Sequence, residues 1–191
     1  MGPDASLVAA LRAGDAAAFA QAYAKYRRPL YGFLRRAVRR DDVAQDLLQE
    51  TWMALARGAC DLRLDTDLAA WLFTVARNAF RSHLRWAKLD LSRWIALCDD
   101  ACPAPGPGPD TAAEQSRLVL AVEEALGHLP TAHREVLLLV AVEGLEQDQV
   151  ALVLGISYAA LRQRLSRARA ALGDLLGDQI HEQESHERAY R

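Results

Sequence analysis

GLEQDQVALVLGISYAALRQRLSRARAAL, residues Gly144 to Leu172, reads as two helices joined by a tight turn. The first, from Glu146 to Leu154, carries apolar side chains at Val150, Ala151, Val153 and Leu154. Gly155 supplies the turn, because a residue without a β-carbon enters left-handed backbone at little cost. Ile156 then packs inward and Ser157 offers an N-cap oxygen. The second helix repeats Leu161, Leu165, Ala168 and Leu172 on one face, the period of an amphipathic helix. Arg162, Arg164, Arg167 and Arg169 surround that stripe, and no acidic residue occurs from Ser157 through Leu172. A short helix, a turn and a basic second helix are the parts of a helix-turn-helix, which lays its second helix in the major groove of DNA. A helical hairpin with merely solvated arginines is the plainer alternative, but a solvated face usually mixes charge signs.

The chain of 191 residues has room for one domain or two small ones. It is 51% hydrophobic and rich in Ala, Leu and Arg, which favours helices around a buried core. No apolar run is long enough to span a bilayer, and the opening MGPDASLVAALRAGDA lacks the charged start and apolar block of a secretion signal. Three cysteines, an odd number, argue against a disulfide scaffold and for a reducing cytoplasm. Charge is uneven along the chain: net +4 over residues 1–90, −2 over 91–110 and −4 over 111–191. A protein that grips DNA alone more often carries a clear positive excess. Basic stripes on a near-neutral body predict weak unaided binding and a partner that brings the chain to DNA.

In chain order, Asp15 to Arg28 is expected to be a helix anchored by Phe19, Tyr23 and Tyr26, with a break at Pro29. Leu30 to Arg40 forms the next helix, and Asp41 and Asp42 restart the chain where a helix dipole favours acids. The third helix, Val43 to Arg57, turns Val43, Leu47, Thr51, Ala54 and Leu55 inward. It lines up Asp42, Asp46, Gln49 and Glu50 on another side. On spacing alone that acidic line is a solubilising face. Gly58 to Thr66 reads as a loop. The fourth helix, Asp67 to Lys88, has a buried stripe of Leu68, Trp71, Leu72, Val75 and Ala79, with Arg77, Arg81, Arg85 and Lys88 opposite. Cations beside Thr74, Asn78, Phe80, Trp71 and Trp86 suit unpaired nucleic acid, where charges follow phosphates and rings stack on bases. An ordinary core helix with solvated arginines fits equally well.

Cys102 to Asp110, CPAPGPGPD, holds four prolines and two glycines and is a linker. Beyond it, helices are expected over Thr111 to His128 and from Thr131 to about Glu143, before the helix-turn-helix. The expected fold is therefore all-α. Two small helical domains, residues 1–90 and 112–177, are joined by a flexible Pro/Gly-rich linker over 91–111 and followed by a polar, frayed or weakly helical tail over 178–191.

With these parts in order, the chain resembles a bacterial RNA polymerase sigma factor of the extracytoplasmic-function (ECF) type. The resemblance rests on DDVAQDLLQETW (Asp41 to Trp52), AWLFTVARNAFRSHLR (Ala70 to Arg85), LPTAHREVLLL (Leu129 to Leu139) and GISYAALRQRLSRARAAL (Gly155 to Leu172). It implies that the first domain is sigma region 2. Asp42, Asp46, Gln49 and Glu50 would then dock on the basic coiled coil of the polymerase's largest subunit, with complementary charge setting register and rate. Gln45 stands where family members often have Glu. It implies that Trp71, Arg77, Asn78, Arg81 and Arg85 melt and hold the −10 promoter element, with an extruded base read in the loop 58–66. The second domain would be region 4, reading the −35 element. Ala159, Gln163 and Ser166 face directly outward there, with Arg162 and Gln163 expected on base edges and Arg164, Arg167 and Arg169 on phosphates. The family's partners are core RNA polymerase, promoter DNA and an anti-sigma protein, here expected to be membrane-anchored.

Cys98, Cys102 and Cys60 have no histidine at ligand spacing, so no metal site and no cofactor are expected. Neither a phosphate loop nor a nucleophile with its base is visible, so no enzyme activity is expected. Two other classes fit less well: a stand-alone helix-turn-helix regulator with a helical sensor domain, and a helical interaction protein with incidental arginine faces.

Overall fold

The computed structural model describes residues 4–94 and 113–189; the linker CPAPGPGPD and the thiols of Cys98 and Cys102 lie outside them. The described residues form helices α1 (Ala5–Arg12), α2 (Ala16–Val38), α3 (Asp41–Gly58), α4 (Leu68–Trp94), α5 (Ala113–His128), α6 (Thr131–Leu137), α7 (Gln147–Leu154) and α8 (Tyr158–Ala189). By internal contacts the chain divides into two compact units, Met1–Ala104 with Leu152–Gly155, and Pro105–Ala151 with Ile156–Arg191.

In the first unit, α2, α3 and α4 pack against one another, and α1 lies against α2 and the short 3₁₀ turn Ala59–Asp61. Asp15 caps α2 by accepting from the Ala17 N–H at 2.8 Å, and Asp67 caps α4 by accepting from the Ala70 N–H at 3.0 Å. The core holds Leu30, Phe33, Leu55, Leu72 and Phe73. Phe33 meets Phe73 edge to face at 5.7 Å between ring centroids.

The expected break at Pro29 does not occur: α2 runs through it as one helix of 23 residues. An internal proline loses one backbone hydrogen bond and costs about 3 kcal/mol. Tyr26, Leu30, Phe33 and Leu34 are all buried on either side of it, and each such side chain contributes about 1.5–3 kcal/mol on leaving water. Burial wins, and the fixed proline φ is itself helical. Helix α1 was not expected. It buries Leu7, Val8 and Leu11. The preceding Asp4, only 8% exposed, accepts from Tyr26 Oη and from Lys25 Nζ at 2.6 Å.

In the second unit, α8 packs against α5 and α6 through Leu161, Leu165 and Ala168, all buried. Arg134 donates to the Gly127 and Leu129 carbonyls at 2.7 and 3.1 Å, closing the end of α5. The helix expected to reach Glu143 leaves α-geometry at Leu138 and finishes as a π-turn, Leu138–Val142. Gly144 follows with φ 65°. Of the two expectations for the polar tail, frayed or weakly helical, the structure has the helical one: residues 178–189 continue α8.

Candidate nucleic-acid and polymerase interfaces

The helix-turn-helix is assembled by local capping. Gln149 Oε1 accepts from the Glu146 N–H at 3.0 Å, fixing the start of α7. Gly155 takes φ 64°, the left-handed conformation the turn requires. Ser157 Oγ accepts from the Ala160 N–H at 3.2 Å and starts α8. With Leu161, Leu165 and Ala168 turned in, Ala159, Arg162, Gln163, Ser166, Arg167 and Arg169 are exposed and Arg164 is half-buried. Arg162, Leu165, Ser166 and Arg169 share one side of α8 and, with Gln147, line a shallow cavity of about 310 Å³. The arginine expected on a phosphate, Arg169, thus stands in the same row as Arg162.

On α4 the expected basic face is divided. Asn78, Arg81 and Arg85 are exposed at spacings of three and four, and Trp86, 66% exposed, lies next to Arg85. Arg77 is not among them. It is 7% exposed, and Phe73, Ala76 and Phe80 near it on α4 are buried as well. Trp71 is half-buried. The side chain of Lys88 lies outside the described residues.

The acidic line of α3 is also uneven. Asp42 is gripped by Arg40, whose Nε lies 3.2 Å from Oδ1, and that guanidinium holds its carboxyl below the ordinary range. Asp41 is held by Arg35 and by the Tyr31 hydroxyl at 3.0 Å. Asp46, Gln49 and Glu50 are exposed one and two turns further on. Between α3 and α4, Leu62 is buried while Leu64 is 58% exposed. Leu64 is flanked by Arg63 and Asp65, joined by two hydrogen bonds of 3.0 Å each. Sequence reading named no base-reading residue in this loop, since a turn has no periodicity from which exposure can be inferred.

Two family models match, in this order along the chain: Sigma-70 region 2 over residues 22–88 and Sigma-70, region 4 over residues 120–172. The chain is 34% identical over 174 residues to the ECF RNA polymerase sigma factor SigM of Mycobacterium tuberculosis, covering 91% of this chain and 85% of that protein. The chain belongs to the ECF RNA polymerase sigma factors. A second relative of this sigma factor is CnrH of Cupriavidus metallidurans, 37% identical over 148 residues, covering 71% of this chain and 72% of that protein. Among solved structures, CnrH in complex with the cytosolic domain of CnrY matches with a TM-score of 0.69 at 31% identity, over 92% of this chain and 97% of that one. The sigma factor RpoE in complex with the anti-sigma factor NepR from Bartonella quintana matches with a TM-score of 0.69 at 25% identity, over 83% and 96%.

Among the described residues of this sigma factor, no group of three or more metal-ligating side chains stands together, and no helix is long and apolar enough to cross a membrane.

Proposed function

We infer that this ECF sigma factor binds core RNA polymerase and directs initiation at promoters whose −10 and −35 elements its two units recognise. One observation carries the reading: the region 2 and region 4 matches each contain an exposed basic helix face, Asn78–Arg81–Arg85 on α4 and Arg162–Ser166–Arg169 on α8. The α4 face suits a melted strand, with Trp71 and Trp86 offering rings and the arginines meeting phosphates. Arg77, being buried, supports the helix from behind. The α8 face suits a duplex, with Arg162 and Gln163 on base edges and Arg164, Arg167 and Arg169 on the backbone. Exposed Leu64 is the candidate to meet a base extruded near the loop 58–66. Asp46, Gln49 and Glu50 form the polymerase contact, and Asp42, already neutralised by Arg40, sits at its edge.

The chain acts as a cytoplasmic binding subunit without catalysis of its own. An anti-sigma protein holds it inactive, in keeping with the two neighbouring sigma factors solved with CnrY and NepR, and we propose further that this partner is anchored in the membrane. Transcription of genomic fragments by core polymerase, with and without the chain, tests the assignment. Discrete transcripts only when both are present support it. A chain that binds an operator tightly without polymerase belongs instead to the stand-alone regulators.

A further inference from the structure

An open groove of about 840 Å³ runs between α2 and α3. Gln45, Leu48, Gln49 and Trp52 form its α3 wall, spaced so that all four share one helix face. Tyr23, Arg27, Arg28 and Tyr31 face them from α2. Trp52, 7% exposed, packs against the Tyr23 ring at 4.9 Å between centroids. The Arg27 guanidinium lies 5.8 Å from that same ring.

The charges around this groove are sorted in an unusual way. At the far end of α2, Arg35 and Arg40 are matched with Asp41 and Asp42. Arg27 and Arg28 form no ion pair among the described residues, and neither do Asp46 and Glu50. Residues 42, 46 and 50 lie one step round α3 from the groove face. Unmatched cations and unmatched acids therefore stand on opposite sides of Gln45 and Gln49. A partner that answers only the acids leaves two arginines without counter-charge beside an aromatic wall, where an ion pair is less screened than in open water.

We propose that the groove receives a carboxylate side chain from the same core-polymerase helix whose basic residues meet Asp46 and Glu50. This rests on the polymerase-docking reading above. The groove between two helices accepts the side-chain ridge of a third, and guanidinium groups favour carboxylates as charge-assisted acceptors. Contacts of both signs fix one register and one orientation of the partner helix, which acids alone would leave open to sliding.

Full-length wild type, Arg27→Glu/Arg28→Glu and Asp46→Lys/Glu50→Lys are titrated with bacterial core RNA polymerase. Helicity and melting are recorded for each, with Arg27→Gln/Arg28→Gln as the milder pair should charge reversal disturb folding. The expected result is a loss of core affinity of about tenfold or more for each charge-reversed pair and a smaller loss for the glutamine pair. A folded arginine variant that binds core within about twofold of wild type overturns the groove assignment. If the acidic variant still loses binding, the docking reading survives without the groove. Core affinity retained but promoter DNA affinity of the holoenzyme lost assigns the arginines to nucleic acid instead and likewise overturns it. A wild type that does not bind core removes both readings.

Discussion

The Tyr26 hydroxyl donates to the carboxylate of Asp4, and this contact, with Lys25 on the other oxygen, ties α1 to α2. Asp4 would otherwise be a buried charge without partners, so the N-terminal helix depends on two side chains more than 20 residues away. Burial first, and then the hydrogen bond to Asp4, push Tyr26 up to about 12.

A pH dependence follows. The folded chain holds the Tyr26 proton more tightly than the unfolded chain, in which tyrosine titrates near about 10. The stabilisation is complete below about pH 10 and is lost as pH rises through about 12. Lys25, raised chiefly by its hydrogen bond to Asp4, adds to the loss in the same direction. Tyr26→Phe should lower stability by about 1 kcal/mol at neutral pH and flatten the alkaline limb. Urea midpoints measured across the alkaline range decide it, and an unchanged slope in the variant counts against the contact.

Gly155 and Gly173 should respond oppositely to alanine. Neither has an atom within 4 Å of an added β-carbon, but Gly155 holds φ +64° and Gly173 is helical. Gly155→Ala should cost about 1 kcal/mol through the strained backbone alone, whereas Gly173→Ala should add up to about 1 kcal/mol. Thermal denaturation of the two variants compares them directly, and equal shifts would contradict the turn geometry.

The arginines of α4 should separate by assay. Arg77→Ala, at a buried position, should lower the melting temperature, with a cost of about 1–3 kcal/mol. Arg81→Ala/Arg85→Ala should leave melting nearly unchanged and reduce promoter opening by the holoenzyme, read by permanganate reactivity of unpaired thymines. The reverse pattern would return Arg77 to the exposed face.

On α8, Arg162→Ala should remove about 1–3 kcal/mol of discrimination between −35 sequences, while Arg167→Ala should weaken all of them alike and reduce the salt dependence. Holoenzyme binding to a panel of −35 variants at several salt concentrations distinguishes them. Uniform losses for both would make Arg162 a phosphate contact.

What could be read in the sequence is what local physics decides. Gly155, Ser157 and the Leu161–Leu165–Ala168 stripe specify a turn, a cap and a buried face within fourteen residues, and the structure contains all three. Where distant packing decides, reading failed. Pro29 is a breaker by its own chemistry, but the neighbours that keep α2 continuous are buried through contacts with other helices. Arg77 was grouped with Arg81 and Arg85 by their spacing, but round the helix it stands as near to buried Phe73 as to exposed Arg81, so the period alone could not decide its burial. The groove at Arg27 and Arg28 needs two helices brought side by side, and no single-helix period announces it.

Permanganate footprinting of promoter DNA is the most direct test of the central claim that one chain lets core polymerase find and open promoters. Thymine reactivity at a −10 element should appear only when core and chain are both present, and fall with Arg81→Ala/Arg85→Ala. Opening by core alone, or a wild-type chain that leaves every promoter closed in the presence of core, would contradict it.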